Sequence, residues 1–327
     1  MQPHRRIVLR TLAATALLAG LSLGSTAVIA ADPVYTVAKQ GSAGYRTVQA
    51  AIDAAVQGGK RAQINIGAGT YQELIVVPSN APALKLTGAG PTQTIITYDN
   101  YASRINPATG TEYGTSGSSS VIIAGNDFTA EKLAFGNHAG PVGQAVAVAV
   151  RVDGDRAAFR NVRFLGYQDT LYLRGAKLSY FLDCYVEGTV DFVFGAGTAL
   201  FENVQLHSLG DGYLTAASTP QESARGFVFR NARVTAASGV SRVHLGRPWR
   251  PYASVSFISS QLGAHILPEG WNNWGNAANE ATARYSEYQS SGNGANPSRR
   301  VKWSRQLTAA QAAALDRNTI LGSWRPF

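Results

Sequence analysis

The sequence predicts an all-β solenoid, a chain wound into stacked coils of short strands. Two observations carry that expectation. The first is a seven-residue pattern that runs apolar or small, Phe, any residue, small or Asn, any residue, polar, apolar. It reads AFRNVRF from Ala158 to Phe164, YFLDCYV from Tyr180 to Val186, LFENVQL from Leu200 to Leu206, VFRNARV from Val228 to Val234 and SFISSQL from Ser256 to Leu262. DFTAEKL, from Asp127 to Leu133, is a weaker copy. The second is the spacing: Phe128, Phe159, Phe181, Phe201, Phe229 and Phe257 are separated by 31, 22, 20, 28 and 28 residues. One unit cannot bury its own Phe, so neighbouring units must stack to make a core. Uneven gaps suit coils interrupted by loops of different length. Alternating apolar positions within each unit support strands. An antiparallel sandwich would also alternate and stands as the alternative, but it does not call for one ordered pattern to recur.

The other elements follow in chain order. Residues 1–30 read as a cleaved export signal: a basic start (His4, Arg5, Arg6, Arg10), an apolar run from Leu12 to Leu23, then small residues up to Ala30-Ala31. Arg5 to Arg10 also faintly resembles a twin-arginine signal. The apolar run is too short to span a bilayer, and no later segment approaches ~20 apolar residues. Thr47 to Val56 has helical spacing and suits a cap on the first coil. Asn106 to Ser120 is rich in Gly, Ser and Thr and reads as a loop. Thr308 to Asp316 reads as a second short helix. With no evident linker, residues 32–327 form one expected domain.

Charge and composition narrow the function classes. The formal charge is +9, and removing the three arginines of the leader leaves +6. A basic exported chain suits an acidic partner such as a polysaccharide, although ordinary solubility charge explains the number equally well. The basic residues are scattered apart from Arg299, Arg300, Lys302 and Arg305, and no nucleic-acid motif is present. The single cysteine, Cys184, excludes an internal disulfide and a cysteine-rich metal site. In the repeat it shares a slot with Val204, so it reads as a packed thiol. No Gly-x-Ser-x-Gly elbow exists, the five His residues lack metal-ligand spacing, and Gly88-Ala89-Gly90 opens no dinucleotide fingerprint.

The repeat gives two aspartates a shared position. Asp169 lies five residues after Phe164, and Asp191 lies five residues after Val186. Stacked in register, their carboxylates would sit about 4.8 Å apart. At that distance they cannot ionise independently, so one becomes an ionised nucleophile or base beside a protonated acid. Solvated turn aspartates or a calcium ladder are the plainer readings. Against them, Asp191 is flanked by Val190, Phe192 and Phe194, an expensive place for idle charge. Asp211, also five residues after a unit, lies between glycines and reads as a loop residue.

At these residues the chain resembles the pectin methylesterases (pectinesterases), and among them the bacterial secreted type. Gly69 to Glu73 (GTYQE), Gln144 to Ala147 (QAVA), Gly166 to Tyr172 (GYQDTLY), Gly188 to Gly195 (GTVDFVFG) and Leu245 to Trp249 (LGRPW) are similar to the family's motifs in order. So are Pro268-Glu269-Gly270-Trp271, Trp274, Glu287-Tyr288 and Val301-Lys302-Trp303. The likeness spans roughly residues 35 to 324. It implies a right-handed single-stranded parallel β-helix with short capping helices, acting as a monomer on methyl-esterified homogalacturonan, with no metal or cofactor. It further implies Asp191 as nucleophile, Asp169 as general acid/base, Gln144 and Gln168 as the oxyanion hole, and Arg247 as the group holding Asp191. Trp249, Tyr167, Phe192, Phe194 and Thr115 are the candidate sugar contacts. Phe192 has the strongest packing alternative, since it follows an outward Asp.

Two departures and one tension accompany the likeness. The family often carries a disulfide from the Cys184 position, which this chain cannot make. The segment between Asp169 and Asp191 is one residue longer than in plant members, within the Arg174 to Ser179 turn. Gln168 and Asp169 are adjacent, yet neighbours on a regular strand face opposite sides; both can serve one site only if the backbone bends there. A calcium-dependent pectate lyase, a non-catalytic polysaccharide-binding solenoid and an esterase for another ester are the competing readings.

Overall fold

The computed structural model describes residues 31–140 and 146–327, together with Met1. The leader expected over residues 1–30 and Gln144 fall outside the described stretches. Asp32–Phe327 is one compact unit.

Among the described residues 23 strands pair in parallel, each with the strand one coil away, and wind into a parallel β-helix. The stacked Phe column forms the core of one sheet. Phe159, Phe181, Phe201, Phe229 and Phe257 are partners in register. Successive ring centroids lie 4.9, 4.4, 4.5 and 4.6 Å apart, nearly parallel. Every ring is buried, so the column adds stacking to area burial.

The weaker copy is out of register. Phe159 pairs with Ala130, not Phe128, and Phe164 pairs with Phe135. Phe128 packs at a tilt, 6.0 Å from Phe159. The true unit there is Thr129 to Phe135, whose second position is Ala.

The small-or-Asn slot has a backbone cause. Asn161, Asp183, Asn203, Asn231 and Ser259 all have φ between +50° and +54°, and Lys132 takes the equivalent place at +56°. That left-handed conformation turns the chain at the corner of the coil, and after Gly it is Asn and Asp that tolerate it best. Each corner N–H from Asp183 to Ser259 donates to a carbonyl of the next coil at 2.7–3.0 Å.

The ends close the coil stack differently. The helix Val48–Gly58 buries Val48, Ala51, Ile52 and Ala55. Thr47 caps it, and the Glu73 carboxylate accepts from the N–H groups of Val48 and Gln49, both at 3.1 Å. The GTYQE motif is therefore architectural. The C-terminal helical segment is two helices, Ala309–Ala313 and Arg317–Leu321, because Asp316 caps a new start. Their Ala312, Ile320 and Leu321 pack on Ala158, Tyr180, Leu200, Val228 and Ile258, the outward face of the Phe sheet. The Asn106 to Ser120 loop carries one helical turn at Gly114–Gly117. Cys184 is a buried free thiol whose burial pushes its pKa up to about 12.

Candidate active site

Asp169 and Asp191 stand at the next left-handed corner of their coils, after Asn161 and Asp183. Phe164 pairs with Val186 before them and Leu171 with Val193 after them, which places the two aspartates opposite each other on successive coils. The Asp169 N–H donates to the Val190 carbonyl at 3.0 Å, and the Thr189 N–H to the Tyr167 carbonyl at 2.9 Å. Both aspartates are left-handed, with φ of +65° and +54°. Close coil approach here needs Gly188: a Cβ on it would lie 2.2 Å from that of Phe192 and 2.5 Å from the Tyr167 carbonyl oxygen.

These left-handed residues break the alternation of side chains. After Asp191, both Phe192 and Val193 turn into the core, and Phe194 turns outward. Phe192 is fully buried, which removes it from the candidate sugar contacts. The same bend answers the Gln168–Asp169 tension: both line one cleft because the chain turns at Asp169 itself. Thr170 braces the bend by donating to the Glu187 carbonyl at 2.8 Å.

The cleft holds about 200 Å³ and is lined by Thr115, Gln168, Asp169, Asp191, Phe194, Ala216, Arg247, Trp249 and Trp274. Tyr167 is half-buried and does not line it. Tyr172 and Phe194 stack at 4.3 Å, with Trp249 5.9 Å from Phe194, giving the cleft an aromatic wall.

Arg247 distinguishes the two carboxylates. Its Nε donates to Asp191 Oδ1 at 2.9 Å and its Nη2 to Oδ2 at 2.7 Å. Among the described residues no cation bonds Asp169. Burial pushes Asp169 well above the usual carboxylate range, and the Asp191 charge pushes it further. Burial raises Asp191 too, but the Arg247 hydrogen bonds and charge pull it back. The arrangement favours the charge on Asp191 and the proton on Asp169.

A family model described as pectinesterase matches residues 34–321. The chain belongs to the pectinesterase family. It is thus a carboxylic ester hydrolase. It is 42% identical to "Pectinesterase 31" of Arabidopsis thaliana over 84% of this chain and 88% of that one. It is 36% identical to a "Probable pectinesterase/pectinesterase inhibitor" of Brassica napus over 88% of this chain, spanning 50% of that longer protein. The solved pectin methylesterase from carrot superposes with a TM-score of 0.82 at 32% identity, covering 90% of this chain and 95% of that one.

Two side chains beside Arg247 are not among the site residues expected from the sequence. Trp274 lies over the Arg247 guanidinium at 3.7 Å, and Tyr213 lies 3.9 Å from it. Trp274 stands in the Trp271 to Trp274 stretch already noted as family-like, so a signal existed. Its role did not follow because a loop, pinned by the Gly246–Trp271 bridge, brings it back across the cleft. For Tyr213 there was no signal, since it follows an irregularity in the repeat.

Proposed function

We propose that this chain is an exported pectin methylesterase in which Asp191 is the nucleophile and Asp169 the general acid/base. The observation that carries this reading is the Arg247 fork on one of two facing carboxylates. Asp191 is kept anionic and aimed, while Asp169 keeps its proton. Asp191 attacks the C6 ester carbonyl of a methylated galacturonate unit. The N–H groups of the Gln168 and Gln144 side chains stabilise the tetrahedral oxyanion, each such donor being worth about 3 kcal/mol. Gln144 enters on its place in the QAVA motif. Asp169 gives its proton to the departing methanol, leaving an acyl–Asp191 mixed anhydride. It then takes a proton from water, whose oxygen adds to the galacturonyl carbon and cleaves that anhydride; Asp191 leaves as its carboxylate, Asp169 is reprotonated, and the galacturonic acid released loses its proton to solvent.

Trp249 and Phe194 present apolar faces suited to sugar rings, and Thr115 adds a hydroxyl at the cleft edge. The substrate class is methyl-esterified homogalacturonan, acted on by a single chain freed of residues 1–30 and placed outside the cytoplasm, as in bacterial secreted members. Among the described residues no helix is long and apolar enough to cross a membrane. Methanol release from methylated pectin, measured for wild type and Asp191→Asn with and without chelator, tests the reading. Near wild-type turnover by Asp191→Asn would sink the nucleophile assignment. Chelator-sensitive formation of unsaturated products would favour the lyase alternative.

A further inference from the structure

Two hydrogen bonds aim Arg247 at Asp191, but they do not fix a long side chain at the rim of an open cleft; its rotamers must be restrained from the sides. Trp274 covers the guanidinium at 3.7 Å and is itself 37% exposed. Tyr213, at 3.9 Å, is half-buried and does not line the cleft.

Tyr213 gets there through a break in the ladder. Ser208 pairs with Gly188 and Tyr213 with Val190, so four residues on one coil stand against a single residue, Thr189, on the other. The excursion is clamped at its tip. Asp211 accepts the N–H groups of Ser241 and Arg242 in the next coil, at 2.9 and 3.0 Å. Register is then restored, with Gly212 on Val243 and Tyr213 on His244. The His244 imidazole stacks on the Tyr213 ring, 5.2 Å between centroids and 15° from parallel. Its Nε2 lies 3.6 Å from Glu269 Oε1. Glu269, Arg242 and Arg247 are the charges that face this imidazole.

We propose that Tyr213, seated on His244, is a positioning residue for the ester hydrolysis. Its ring restrains the Arg247 guanidinium so that the fork stays on Asp191, and the His244 ring, placed beside Glu269, steadies Tyr213. What matters is the pair of ring faces, not the Tyr213 hydroxyl or the His244 charge. The proposal rests on the assignment of Asp191 as nucleophile.

The test compares Tyr213→Leu, Tyr213→Phe, His244→Ala and His244→Phe for kcat, KM and the pH profile of kcat/KM on methylated pectin, with thermal melts as a check on folding. Tyr213→Leu is expected to lower kcat about tenfold, the scale of a partly desolvated cation–π contact, at unchanged KM. The acid limb should move to higher pH, because Asp191 ionises less readily when the Arg247 fork wanders. Tyr213→Phe should match wild type. His244→Ala should shift kcat and the acid limb in the same direction as Tyr213→Leu, and His244→Phe should restore both.

A Tyr213→Leu enzyme with wild-type kcat and acid limb overturns the proposal, as does one that only melts earlier. Tyr213→Phe as damaged as Tyr213→Leu also overturns it, by assigning the effect to the hydroxyl. Failure of the nucleophile assignment shows separately, as methanol release by Asp191→Asn.

Discussion

Arg300 and Arg247 each grip a carboxylate with two hydrogen bonds, and the two pairs differ in what surrounds them. Arg300 Nε and Nη2 reach the Glu287 oxygens at 2.7 and 3.1 Å. Its remaining N–H groups donate to the carbonyls of Leu267, Pro268 and Gly294 at 2.8–3.3 Å. Both side chains are at most 4% exposed. The Arg300 stem fits against Gly270, whose φ is +70° and where a Cβ would lie 2.5 Å from Arg300 Cδ. Arg247 makes the same fork to Asp191, but its faces are covered by aromatic rings, one side opens to the cleft, and a second carboxyl stands opposite its partner. A sealed, fully satisfied pair holds turns together. A pair left open beside a raised-pKa acid is what the proposed nucleophile requires. The family likeness around Pro268-Glu269-Gly270 and Glu287 therefore has a structural cause, and that around Asp191 fits the chemistry proposed for it.

Substitutions should separate the two pairs. The largest expected effect is on turnover: Asp191→Asn should lose on the order of 10⁴-fold in kcat while keeping its fold, judged by methanol release and thermal melting. Asp169→Asn should be nearly as inactive yet more stable than wild type at pH 7. The sign follows from linkage. Burial raises the folded pKa of Asp169, so its contribution to stability is full below the ordinary carboxylate range and is lost as pH rises through the folded value. Removing the ionisable group removes that loss, and the gain should vanish in melts below about pH 4. Equal or lower stability at pH 7 would contradict it.

Arg300→Ala should do the opposite, costing about 3–5 kcal/mol by stranding the buried Glu287 charge, with kcat per folded molecule unchanged. Denaturant melts and active-site-normalised rates read both quantities, and a loss of kcat would erase the contrast with Arg247. The smallest effect is expected at Cys184. Its Sγ donates weakly to the Phe159 carbonyl at 3.4 Å. Cys184→Ala should therefore cost about 1 kcal/mol and leave activity and thiol-reagent sensitivity flat. A larger activity change would show that the thiol side of this core is coupled to the cleft.

The sequence alone determined the coil stack, because an in-register solenoid repeats the same physical demands at each turn. The Phe column, the Asn/Asp corners and the shared slot of Asp169 and Asp191 are all local patterns copied from coil to coil. It determined the family for the same reason, since the GYQDTLY and GTVDFVFG motifs encode those corners. It failed where the repeat is irregular. The register of residues 129–135 slipped because Ala130 replaces Phe, and Phe192 was assigned to the cleft because the parity change at a left-handed Asp191 is not written in residue type. The family likeness already paired Arg247 with Asp191, 56 residues away, and only the tertiary structure decided which rings flank that arginine. Tyr213 and Trp274 reach it through a bulge and a returning loop, whose geometry depends on contacts between coils.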